Sequence, residues 1–137
     1  MYTDFFNEFL SSDNTLRVYS EDKLIFSSDK DRLLPLLEYL STFSPRREQV
    51  VVFDKIVGNA AALLLVIADC REIYSPLGSQ LAIKTLDKYG IKHNFLETVP
   101  FIQQANKVDM CPMEQLSLDK TPEEFHQVMK ELTKQED

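Results

Sequence analysis

The chain has 137 residues, 44% hydrophobic and 27% charged, the size and composition of one globular domain (1–137) able to bury its own core. Its net charge is −7, and Lys and Arg nowhere cluster into the basic face that a phosphate backbone requires, which argues against nucleic acid as a partner. Two cysteines make no disulfide framework, no His/Cys spacing suits a metal, nothing resembles a signal peptide, and the apolar run 60–68 is far too short to span a bilayer; the expectation is a cytoplasmic protein without metal, cofactor or membrane contact.

Residues 2–10 place Tyr2, Phe5, Phe6, Phe9 and Leu10 at helical spacing, predicting a short N-terminal helix packed on the body. Over 16–20 and 23–27 apolar and polar residues alternate around Glu21-Asp22, which predicts a hairpin with a less than ideal turn. Asp29 or Asp31 can cap the next helix, read with Leu33, Leu34, Leu37, Leu40 and Phe43 on one apolar face, Pro35 in its first turn and Ser44-Pro45 as its stop. Residues 49–53, Gln-Val-Val-Val-Phe, are a continuous apolar strand of the kind buried on both faces, hence parallel and central.

A helix from Gly58 to about Ile67 follows, apolar all round except for Asn59, so it must be enclosed by protein. Residues 72–74 predict a short strand, Ser75-Pro76-Leu77-Gly78 a turn, and 79–89 an amphipathic helix with Leu81, Ala82, Leu86 and Tyr89 inward and Gly90 as its stop. Residues 94–99 predict a last strand and 103–119 a polar loop. Thr121-Pro122-Glu123-Glu124 then opens a helix burying Phe125, Val128, Met129 and Leu132. Strand–helix alternation after a hairpin implies an α/β fold, a mixed sheet of about five strands with helices on both faces.

Chemistry concentrates in two places. Asp54 and Lys55 end the central strand, where α/β folds hold ligands: the lysine can serve as anion contact, proton donor or nucleophile beside a carboxylate, or the two can form a plain strand-end ion pair. Gly58 and Asn59 open the following helix, whose free N–H groups suit an anion, although close packing and capping explain the same residues. In Met110-Cys111-Pro112-Met113-Glu114, Cys111 would be an activated thiol if the loop folded over Lys55, with Glu114 as its base or hydrogen-bond partner; otherwise the cluster is a proline-fixed loop held by two methionines. Ser75 and Ser79 can touch a ligand, Ser79 equally being a helix cap. Cys70, at the end of an apolar helix, reads as structural, and His93 and His126 have no second histidine beside them.

The order hairpin, helix, strand, helix, strand, helix, strand resembles the three-layer cytidine deaminase-like fold. In the register of that family's zinc motif, Lys55 falls at its proline and Ile56 and Asn59 at its two cysteines; the stretch 28–32, where a His/Cys-x-Glu would lie, offers only Asp29 and Asp31. Asp54-Lys55-Ile56-Val57-Gly58-Asn59-Ala60-Ala61-Ala62 together with Cys111-Pro112-Met113-Glu114 more closely resembles a bacterial family of unknown function within that superfamily, over residues 15–116, with both terminal helices as additions. The resemblance implies a degenerate site without zinc, a small anionic or nucleotide-like ligand, and a homodimer by superfamily analogy. Two functions are open on this reading: a zinc-independent enzyme using Lys55, Asp54, Cys111 and Glu114, or a non-catalytic ligand-binding or regulatory module.

Overall fold

A computed structural model describes residues 2–43, 49–103 and 110–135. In chain order the elements are α1 (Tyr2–Leu10), β1 (Leu16–Ser20), β2 (Lys23–Ser28), α2 (Leu34–Phe43), β3 (Val50–Asp54), β4 (Ile56–Val57), α3 (Asn59–Ile67), β5 (Cys70–Ser79), α4 (Gln80–Lys88), β6 (Lys92–Val99), α5 (Pro112–Ser117) and α6 (Pro122–Gln135). They form a mixed α/β fold around one six-stranded sheet. β1 runs antiparallel to β2 and to β3, whereas β3, β4 and β6 all run parallel to β5. Because β6 pairs with β5 from Glu72 to Ser79, β3 and β4 share the opposite flank of β5 and amount to one strand interrupted at Lys55.

The alternation of β3 sorts the interior into two cores. Val50 and Val52 face an aliphatic cluster with Leu16, Val18 and Ile73, into which α2, α3, α4 and α6 send Leu36, Leu64, Leu86 and Phe125. Val51 and Phe53 face the other way, into a mainly aromatic cluster with Tyr19 and with Phe6 and Phe9 of α1. Phe5 stacks on Tyr19 at 4.8 Å, and Phe53 meets Tyr74 edge-on at 5.2 Å. The expected N-terminal helix is therefore the whole described cover of one sheet face. α3 is buried along its length, as an all-round apolar helix must be.

Several elements depart from the sequence reading. β5 runs for ten residues where three were expected, and it absorbs the predicted turn at 75–78. Pro76 is tolerated there because the Ser75 hydroxyl bridges it, accepting from Leu77 N at 3.2 Å and donating to Leu77 O at 2.9 Å. β6 starts at Lys92, and the predicted polar loop contains α5, with 104–109 of that loop outside the described residues. The predicted stop at Ser44-Pro45 also lies outside them. α2 is rotated: Leu34 is 47% exposed, and Leu36, Tyr39 and Leu40 make the buried face. Tyr89, expected inward, is an exposed C-cap of α4, and Leu132 is exposed on α6. The hairpin turn holds Glu21 and Asp22 at φ 49° and 67°, the left-handed conformation that a two-residue turn demands and that Asn-Gly would adopt more easily.

Candidate functional site

The N-terminus of α3 is the most elaborated polar site among the described residues. Gly58 is the N-cap and has no side chain to offer the free amides behind it. The carboxylate of Glu114, on α5, supplies what is missing. One of its oxygens accepts a short hydrogen bond from Asn59 N and the other accepts from Ile102 N at 2.7 Å. Glu114 is only 2% exposed, so the anion expected from outside is built into the chain. Gly58 is glycine for the same reason: a Cβ there would stand 2.8 Å from Glu114 Oε1 and 2.8 Å from Ile102 Cγ1.

Asn59 completes the arrangement. Its Nδ2 donates to Ser117 Oγ at 3.0 Å and to Ser117 O at 3.3 Å, its Oδ1 accepts from Thr85 Oγ1, and Ser117 Oγ donates to Glu114 O at 2.6 Å. Ile102 is fixed in turn, its carbonyl accepting from Cys111 N at 2.7 Å. Three segments far apart in sequence are thus tied to the start of α3. Sequence reading missed Thr85, Ser117 and Ile102: each is a single residue with no spacing to mark it. Each is legible only once Asn59 is known to be buried.

Asp54 and Lys55 part company. Asp54 continues the aliphatic face of β3; Lys55 turns to the aromatic face, its Nζ 3.2 Å from Ser12 O, 3.4 Å from Leu10 O and 4.8 Å from the centre of the Phe9 ring. It contacts the carbonyls at and just beyond the C-terminus of α1, where a cation is favoured, and among the described residues it forms no ion pair with a carboxylate. Asp54 is buried; burial pushes its carboxyl up to about 7, against the pull of the Ile56 and Lys55 backbone amides, the former 3.4 Å away.

Cys111 is the N-cap of α5 and partly exposed, and it shares no hydrogen bond with Lys55. The segment 110–114 closes over Gly58 and Asn59, not over Lys55. Ser79 caps α4 by accepting from Ala82 N at 3.0 Å, and Ser75 is committed to Leu77. Cys70 is buried, and burial pushes its thiol up to about 12, consistent with a structural role. His93 binds Asp87 at 3.1 Å and stacks on Phe95; burial, then Lys130, holds His126 below its ordinary value.

The zinc ion of the deaminase pattern does not fit these residues. Ile56 lies exposed in β4 while Asn59 opens α3, so the two positions aligned with thiolates do not share a helical turn. The one buried carboxylate at the helix start is already committed to two amides, and among the described residues no three His, Cys, Asp or Glu side chains converge. A concavity exists elsewhere: an open groove of about 600 Å³ between α2 and α6, lined by Leu34, Leu37, Leu40, Lys30, His126 and Lys130. No described helix is long and apolar enough to cross a membrane.

The domain of unknown function DUF1893 (TM1506) matches residues 6–133. Among solved structures, a DUF1893 family protein (TM1506) from Thermotoga maritima is 30% identical, with a TM-score of 0.85, over 95% of this chain and 88% of that one. No curated protein matches the chain. A match across nearly the whole chain, reaching into both terminal helices, makes this protein a member of the DUF1893 family.

Proposed function

We propose that this protein is a non-catalytic ligand-binding or regulatory module on a three-layer, cytidine deaminase-like scaffold. The element order and the mixed sheet flanked by α1 and by α2–α6 support that scaffold. One observation carries the functional reading: Glu114 occupies the amides at the start of α3, where a scaffold of this kind would receive its reacting group. A carboxylate with both oxygens bound to backbone N–H groups and sealed from solvent has no open face toward a reacting proton and leaves no room for a substrate. Lys55 faces the other side of the sheet, so the enzyme reading loses its Lys–Cys pair.

The ligand of such a module is a small anionic or nucleotide-like molecule held in the α2–α6 groove. There Lys130 supplies a positive charge beside His126, above leucine side chains able to take an apolar body. Lys30 is partnered by Glu38 at 2.5 Å, which leaves Lys130 as the principal contact. Thermal unfolding with phosphate, nucleoside monophosphates and short carboxylates tests this reading. The expected result is stabilisation by at least one of them, abolished in Lys130→Glu, without conversion of the compound. Turnover that is lost in Cys111→Ser would overturn the reading in favour of an enzyme.

A further inference from the structure

We infer that β6 is a self-association edge, pairing antiparallel with β6 of a second copy about a two-fold axis through Phe95. Among the described residues β6 pairs only with β5, so its other side offers backbone N–H and C=O groups over eight residues. It has no proline and no bulge in its register with β5, two of the usual protections of a free edge, and its charges, Lys92 and Glu97, stand away from its centre. At its middle stands Leu96, 68% exposed and the most exposed large apolar side chain described.

The side chains choose the register. In an antiparallel pair related by an axis perpendicular to the sheet, facing residues lie on the same face. Centring on Phe95 sets His93 opposite Glu97 of the second copy, twice, on the face where Phe95 packs on the aliphatic core. On the other face Asn94 meets Leu96 of the second copy, and the two Leu96 side chains become diagonal neighbours, removing both from water. Shifting the centre to Asn94 sets Glu97 against Ile91, and shifting it to Leu96 sets Glu97 against Phe95. Only the central register gives each charged group a polar partner and each apolar group an apolar neighbour. The contact is one strand wide, so the dimer is weak and concentration-dependent.

Sedimentation velocity over a concentration series, with cysteine pairing, tests this. The wild-type protein is expected to shift from monomer to dimer with concentration. Leu96→Lys, exposed and so compatible with folding, is expected to remain monomeric with an unchanged melting temperature. Mixed Asn94→Cys and Leu96→Cys proteins are expected to oxidise to a crosslinked heterodimer faster than Asn94→Cys oxidises alone. A protein monomeric up to its solubility limit overturns the inference, as does a dimer that Leu96→Lys leaves intact or a crosslink no faster in the mixture.

Discussion

Two carboxylates are buried where the central strand gives way to helix, and the protein treats them in opposite ways. Glu114 reaches the site from 55 residues away and finds two N–H groups aimed at its oxygens. Asp54 is local and buried, and it is met only by neighbouring backbone amides, that of Ile56 at a long 3.4 Å. The first is a charge for which the fold has built a receptor; the second is an acid that the fold pushes toward neutrality. Burial of a carboxylate thus identifies neither a catalyst nor a strut until its donors have been traced.

The contrast can be broken most severely at Glu114. Glu114→Ala leaves the Asn59 and Ile102 amides buried without an acceptor and is expected to cost roughly 3–5 kcal/mol in chemical denaturation. A loss under about 1 kcal/mol would mean that water replaces the carboxylate, and the site would then be open to an external anion.

A smaller effect, of opposite sign, is expected at Asp54. Its folded-state value of about 7 stands above the ordinary 3.8 of a free aspartate, so the folded protein keeps a proton that the unfolded chain releases. Stability therefore falls as pH rises from about 4 to about 7, and stays at its lower level above that. Asp54→Asn is expected to flatten this slope and to gain on the order of 2 kcal/mol at pH 8. Unfolding curves at pH 5 and pH 8 for both proteins decide it; an unchanged slope would show that Asp54 is ionised and solvated in the native state.

The smallest change is expected at Lys55. Lys55→Met removes its contacts with α1 and is expected to cost about 1 kcal/mol. The mutation should hasten proteolysis near residues 10–12 while leaving the alkylation rate of Cys111 unchanged. In both proteins Cys111 should react well ahead of buried Cys70. Slower alkylation of Cys111 in Lys55→Met would restore the pairing that the enzyme reading requires.

What the sequence disclosed follows from the range of the forces involved. The apolar run Val50–Phe53 and the featureless helix behind it announce a central strand and an enclosed helix, because continuous burial leaves a continuous hydrophobic record. The same logic marked 54–59 as a candidate site. Its content was not legible, since a capping carboxylate is one residue and its target is a backbone amide that every sequence has. Ser75-Pro76-Leu77-Gly78 has the composition of a turn, and nothing local reveals that Ser75 repairs the strand around the proline. Leu34 shows the converse: four leucines in five positions outnumber what one face can hold, and only the helix start fixes which is left outside.

The long reach of Glu114 bears on how the chain acquires its structure. α3 is greasy on every side and has a weak start signal, so its first turn stays undefined until α5 has been made and brought back. That closure spans β5, α4 and β6, a high-contact-order event expected late in folding. Until then a nine-residue apolar helix has neither cap nor cover and is open to aggregation during synthesis. The glutamate that seals the site is thereby also the latch whose arrival ends the chain's most vulnerable interval.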